Sequence, residues 1–112
     1  MIMSMRALIS LAAAAAMMSV PAAAADIEAG KKKVQEVCAA CHGIDGAAPI
    51  MPEYPKLSGQ YPDYLAKALR DYKSGARKNP IMAGFAQGLT DKDIENVAAY
   101  FSTQPSVLAT RY

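Results

Sequence analysis

Two cysteines and one histidine stand within five consecutive residues, Cys38-Ala39-Ala40-Cys41-His42. The chain contains no other cysteine and no other histidine. In a Cys-x-x-Cys-His sequence each thiol can add to one vinyl group of a porphyrin, and the histidine that follows can bind the iron. The motif therefore predicts that the chain folds around one covalently attached haem c, held through Cys38, Cys41 and His42.

The same cysteine pair is compatible with two other kinds of site, a redox disulfide and half of a zinc site. A thioredoxin-like disulfide would lie in strand-helix-strand surroundings, and the sequence around Cys38 and Cys41 does not indicate them. A structural zinc site would need a second pair of cysteine or histidine ligands, which the chain lacks. The haem interpretation is therefore favoured over both.

The first 25 residues have the pattern of a secretory signal peptide. Arg6 supplies the positive charge, residues 7–20 are almost entirely apolar, and Ala23-Ala24-Ala25 is a small-residue cleavage site before Asp26. The apolar stretch is shorter than the roughly 20 residues of a membrane-spanning helix. We predict cleavage after Ala25, a periplasmic location without a stable membrane anchor, and a single haem-binding domain over residues 26–112.

Composition limits what this domain can be. Removal of the first 25 of the 112 residues would leave 87, with 11 basic and 10 acidic residues. This nearly neutral balance gives no indication of a nucleic-acid partner. A domain of that size has a marginal hydrophobic core, so a large apolar cofactor would supply part of the core.

Three helices are predicted from capping residues and apolar spacing. Asp26 can cap a helix that continues to about Val37, with Ile27, Val34 and Val37 on its apolar side. Pro62 can occupy the first turn of a second helix, which should end near Gly75 and which carries apolar residues at Tyr61, Leu65, Leu69 and Tyr72. Thr90 and Asp93 resemble a capping box for a third helix that ends near Thr103, with Ile94, Val97, Ala98 and Phe101 on its buried face. The predicted fold class is all-α.

Two segments between these helices have less regular sequences. Residues 47–57 contain Pro49, Pro52 and Pro55, which predicts an ordered but irregular segment. We expect one of its backbone carbonyls to accept a hydrogen bond from the second ring nitrogen of His42, since such a bond fixes the orientation of a metal-bound histidine. Residues 77–88 are predicted to form a loop or a short helix.

The iron's sixth position is not determined by these patterns. A methionine there excludes external ligands from the iron and raises its reduction potential, whereas an open position permits ligand binding or oxygen chemistry. After removal of the leader, the remaining methionines are Met51 and Met82. Spacing alone leaves both as candidates.

Nearly all of residues 26–108 resembles the class I c-type cytochromes, and in particular the small periplasmic cytochromes of the c4 and c553 type. The matching stretches are Cys38-Ala39-Ala40-Cys41-His42-Gly43, Tyr54-Pro55-Lys56-Leu57-Ser58-Gly59-Gln60, Tyr64-Leu65, Tyr72-Lys73-Ser74-Gly75-Ala76-Arg77, Met82, Leu89-Thr90-Asp91-Lys92-Asp93-Ile94 and Ala98-Ala99-Tyr100-Phe101.

The resemblance implies His42 and Met82 as the two axial iron ligands and Cys38 and Cys41 as the thioether sites. It also implies that the first and last helices cross near the haem edge, with Tyr100 and Phe101 facing Gly30 and Val34. Proteins of the c4 type carry two such domains in tandem. This chain has a single Cys-x-x-Cys-His and resembles one half of them, or a c553-type protein with one haem.

The expected function is electron transfer without enzymatic catalysis. No candidate catalytic base or nucleophile is evident, because the acidic residues are scattered and the one histidine is assigned to iron. The first hypothesis is a monomeric periplasmic carrier that exchanges single electrons with redox proteins of the respiratory chain. The second is a haem subunit of a periplasmic oxidoreductase, and the third is a ligand-sensing or peroxidase-like protein with an open sixth position.

Overall fold

The structure, a computed structural model, describes residues 12–15 and 24–106, and over these residues it contains helices and no strand. The helices are α1 (Ile27–Val37), α2 (Ala39–His42), α3 (Pro62–Ser74), α4 (Pro80–Gln87) and α5 (Asp91–Thr103). Helix α5 packs against α1 and α3, and α3 also packs against α4. The predicted all-α class and the three predicted helices are confirmed.

Helix α1 begins where the sequence predicts it. The Asp26 carboxylate accepts a hydrogen bond from the Ala29 N–H at 3.0 Å, which satisfies one of the free donors of the first turn. The Asp26 N–H donates to the Asn96 side-chain oxygen at 2.8 Å, so the start of α1 is also fastened to α5. The predicted crossing of the first and last helices is present, because Gly30 lies against the backbone of Asn96 and against Tyr100.

Helix α4 occupies the stretch for which a loop or a short helix is predicted. The Asn79 side-chain oxygen accepts hydrogen bonds from the N–H groups of Ile81 and Met82, both at 3.1 Å. Pro80 fills the first helical position, where its missing N–H costs nothing. An asparagine cap followed by proline is a helix-start pattern, so the short-helix alternative is the correct one.

The core lies between α1, α3 and α5. It contains the four residues predicted for the buried face of α5, together with Asn96 and Tyr100 from the same helix. Val34 of α1, Leu65 and Ala66 of α3, and Leu89 after α4 complete it. Two residues of the predicted apolar sides are exposed, Ile27 at 41% and Tyr61 at 76%. Both stand next to a helix start, where a side chain can extend past its neighbours into solvent.

The predicted leader, residues 1–25, lies mostly outside the described residues, as do the last six residues of the predicted domain. Helices in the described ranges lack the combination of length and hydropathy that a membrane crossing requires.

The start of α5 allows a prediction about pH. The Thr90 N–H donates to the Asp93 carboxylate at 3.0 Å and the Thr90 hydroxyl accepts from the Asp93 N–H at 3.0 Å. The first of these bonds lowers the pKa of Asp93 below its usual value, because it favours the ionised form. The carboxylate therefore stabilises the fold above its unfolded-state pKa, and this contribution is lost as the pH falls through its lower folded-state pKa.

We expect Asp93→Asn to be less stable than the wild type at neutral pH, with the difference shrinking in acid as the wild-type carboxylate becomes protonated. Denaturant unfolding of the holoprotein over a pH series measures this. Asp91→Asn is the matched control, since it removes the same charge from the same helical turn without the bond to Thr90. An Asp93→Asn deficit that is constant with pH would contradict the prediction.

Candidate haem site

A cavity of about 230 Å³ lies beside the core, between α2, α3, α4 and the proline-rich segment. The structure brings all four predicted site residues to its wall, namely Cys38, Cys41, His42 and Met82. The other candidate methionine, Met51, is 43% exposed and does not line the cavity. The geometry therefore favours Met82 over Met51 as the residue that can reach a group bound there.

The His42 ring is buried, with 6% of the residue exposed. Its Nδ1 lies 2.9 Å from the carbonyl oxygen of Pro55. A carbonyl can only accept, so Nδ1 carries the proton and Nε2 keeps its lone pair for a metal. The predicted bond from the proline-rich segment is confirmed, and Pro55 is the residue that the sequence alone could not identify. This bond fixes both the tautomer and the plane of the imidazole.

The cysteine motif is folded as a single helical turn. Cys38 precedes α2, and the N–H of His42 donates to the Cys38 carbonyl at 3.1 Å. Gly43 ends the turn at φ +83°, and a Cβ there would lie 2.9 Å from the Ala48 carbonyl oxygen. Glycine is therefore needed for the chain to reverse at this point. The reversal brings the proline-rich segment back over the imidazole.

Both cysteines are free thiols that are partly buried. The pKa of the Cys38 thiol is raised to about 11, mainly by burial and also by the nearby Cys41, while Lys33 opposes the rise. The Cys38 thiol therefore keeps its proton at neutral pH. Because Cys38 and Cys41 both line the cavity, both can bond to the same group in it.

Met82 belongs to the first turn of α4. Its N–H donates a hydrogen bond to the Asn79 side-chain oxygen, and its side chain is half-buried at the cavity wall. Ile81 and Phe85 of the same helix also line the cavity and are 57% and 44% exposed. The apolar side of α4 thus faces the cavity, and a group bound there would cover it.

Arg77 lines the cavity together with Tyr64 and Tyr72 of α3. Its guanidinium carbon lies 4.8 Å from the centre of the Tyr72 ring, a cation–π distance, and its backbone N–H donates to the Asp71 carbonyl at 3.0 Å. Interaction with the Tyr64 side chain is the main cause that raises the pKa of Arg77. Among the described residues Arg77 forms no ion pair, so its charge can meet an anionic group.

These residues fit a haem. The lining is mainly apolar, as a porphyrin plane requires, with two thiols and an imidazole from the turn around α2 and a thioether from α4. Arg77 and Lys56, which also lines the cavity, offer positive charge to the two carboxylates of the porphyrin. Arg77 ends the stretch Tyr72-Lys73-Ser74-Gly75-Ala76-Arg77 that resembles the family, but the sequence does not indicate that its side chain lines the cavity.

Comparison with known proteins agrees with this fit. The family model described as cytochrome c matches residues 27–105. Cytochrome c4 of Stutzerimonas stutzeri is 48% identical over 91 residues, which is 73% of this chain and 42% of that protein. Cytochrome c-554(548) of Halomonas halodenitrificans is 44% identical over 84 residues, covering 72% of this chain and 99% of that protein. The chain therefore belongs to the cytochrome c family.

Two further matches define the fold and widen the range of relatives. The crystal structure of reduced recombinant cytochrome c4 from Pseudomonas stutzeri superposes with a TM-score of 0.67 at 46% identity, over 73% of this chain and 47% of that one. The cytochrome subunit of sulfide dehydrogenase from Chlorobaculum tepidum is 39% identical over 64 residues, covering 57% of this chain and 56% of that protein. The chain spans at most half the length of the cytochrome c4 relatives that it matches.

Proposed function

We propose that this chain is a monomeric one-electron carrier of the periplasm that binds one haem c and has no catalytic activity of its own. Cys38 and Cys41 would form the thioether bonds, and His42 and Met82 would be the axial iron ligands. The observation that carries the proposal is the convergence of these four side chains on one apolar cavity. When bound, the haem supplies an iron that cycles between the ferric and ferrous states.

The protein's own residues would support that cycle by keeping the surroundings of the haem the same in both oxidation states. The hydrogen bond from His42 to Pro55 keeps the imidazole in one orientation. Phe101 and Leu89, both less than 5% exposed, exclude water from the inner wall of the cavity. Arg77 would balance negative charge at the edge. None of these roles needs a group that gains or loses a proton during electron transfer.

We infer that residues 1–25 direct export and are removed. Support comes from the sequence pattern of the leader and from the motif itself, since haem c requires two reduced thiols and a haem supply on the exported side. The partners would be redox proteins of the respiratory chain or an oxidoreductase in the same compartment.

The proposal is tested on protein purified from the periplasm of an expressing cell. Intact-mass measurement should give a polypeptide that begins at Asp26 and carries one haem that survives denaturation. A redox titration should follow a one-electron curve, and the reduced spectrum should not change with carbon monoxide. A mass without haem would overturn the proposal, and a carbon monoxide complex formed by the native protein would favour the open-site hypothesis.

A second function has a specific observation in its favour. One relative carries the name of a cytochrome subunit of sulfide dehydrogenase, so this chain could serve as the haem subunit of a periplasmic oxidoreductase. Affinity purification at native expression level distinguishes the two hypotheses. A larger catalytic subunit that co-purifies in fixed ratio would support the subunit hypothesis, and the isolated chain alone would support the free carrier.

A further inference from the structure

Helix α4, which carries Met82, makes few buried contacts with the rest of the protein. Of its eight residues only Ala86 is fully buried, whereas six of the 13 residues of α5 are. An eight-residue helix is not stable by itself in water. Segments with little buried area open at lower cost than the global unfolding of the domain. A bound haem would cover the apolar side of α4, and the remaining attachment of the helix to the polypeptide is to α3.

Two hydrogen bonds join the C-terminal end of α4 to the C-terminal end of α3, and both involve Lys73. The side-chain amide of Gln87, the last residue of α4, donates to the backbone carbonyl of Lys73 at 2.7 Å. The Lys73 ammonium donates in return to the carbonyl of Leu89, two residues after α4 ends. We call this pair of bonds the α3–α4 clamp.

The clamp connects directly to the cavity. The Leu89 side chain is buried, with 4% of the residue exposed, and lines the same cavity as Met82. Because Leu89 and Gln87 stand on either side of the α4 terminus, breaking the clamp would loosen the end of α4 opposite to its Asn79 cap and leave it held by the Leu89 side chain and by packing on α3. The cap is a bond within the helix and cannot fasten it to the domain.

We propose that Gln87 and Lys73 are positioning residues that keep Met82 at the cavity, and that they thereby set how fast an external ligand reaches the sixth position of the iron. The inference rests on the proposed role of Met82 as that ligand. External ligand enters when α4 opens. A looser α4 therefore admits ligand faster, while the fold around α1 and α5 is unchanged.

The experiment follows binding of imidazole to the oxidised holoprotein in Gln87→Ala and Lys73→Met. Loss of one such hydrogen bond should increase the binding rate about three- to tenfold. Gln35→Ala and Lys67→Met are the matched controls, because Gln35 is exposed on α1 and Lys67 is exposed on α3, where it pairs with Asp71. Both controls should bind imidazole at the wild-type rate.

Amide hydrogen exchange gives a readout that does not depend on the iron ligand. In both clamp variants the amides of α4, such as Ala83, should exchange faster, and those of α5 should not change. Equal acceleration in α4 and α5 would mean a general loss of stability and would overturn the proposal, as would unchanged exchange in α4.

Met82→Ala separates this inference from the proposed function. If wild type and Met82→Ala bind imidazole at the same rate, Met82 is not the ligand that imidazole displaces, and the claim about ligand entry falls with it. Hydrogen exchange in α4 then still decides whether the clamp holds the helix.

Discussion

Replacement of Met82 by alanine is expected to lower the reduction potential and to open the iron to external ligands. A thioether is a soft donor that favours ferrous iron, so its removal destabilises the reduced state relative to the oxidised one. We expect a fall on the order of 0.1 V, within the roughly 0.8 V range over which axial ligands set haem potentials. A redox titration measures the potential. Loss of the sulfur ligand itself is measured by the sulfur-to-iron charge-transfer band at the red end of the oxidised spectrum, which should disappear.

Met51→Ala is the matched control for this experiment. Met51 is partly exposed and lies outside the cavity wall, so its removal should change neither the band nor the potential. Loss of the band in Met51→Ala with survival in Met82→Ala would reverse the assignment. The Soret band and thermal unfolding of both variants must be recorded, because collapse of the pocket would remove the band for a different reason.

The helix starts were the most predictable part of the fold. Asp26, Pro62 and Thr90 act through bonds or conformations within a few residues of themselves, so the sequence contains all that is needed to read them. The capping box of α5 forms with aspartate in place of the usual glutamate or glutamine, and both of its hydrogen bonds are present. Local chemistry of this kind does not depend on how the helices later pack.

Helix α4 was harder to predict because its sequence has no polar face. Ile81, Met82 and Phe85 give an apolar stripe, but Ala83, Gly84 and Ala86 on the other sides give no contrast. The apolar stripe is explained only by the folded structure, in which it faces the cavity. The cap and proline at Asn79 and Pro80 were the available signal.

The long-range partners of the site could not be predicted from sequence. The Pro55 carbonyl is one of many in a proline-rich segment, and which of them meets His42 depends on the chain reversal at Gly43. Asn96 looks like a polar interruption of an apolar helix face. Its role is visible only in the folded structure, where its side-chain oxygen accepts a hydrogen bond from the N–H of Asp26, 70 residues earlier in the chain.

The crossing of α1 and α5 is the contact on which the fold depends most closely. A Cβ at Gly30 would lie 2.0 Å from the carbonyl oxygen of Asn96 and 3.1 Å from the Cβ of Tyr100. The nearest atom is backbone in the middle of a helix, so it cannot move aside as a flexible side chain would. The two helices could accept a methyl group only by separating, which would disturb Val34 and Phe101 in the core.

Gly30→Ala should therefore destabilise the holoprotein by about 3 kcal/mol or more, at the upper end of overpacking effects, although alanine is the better helix former. Gly84→Ala is the matched control, since Gly84 is also inside a helix but a Cβ there would meet nothing within 4 Å. That variant should gain up to about 1 kcal/mol from helix propensity alone. Denaturant unfolding of both variants measures the contrast. Equal stability of Gly30→Ala and wild type would show that α1 and α5 do not meet at this glycine.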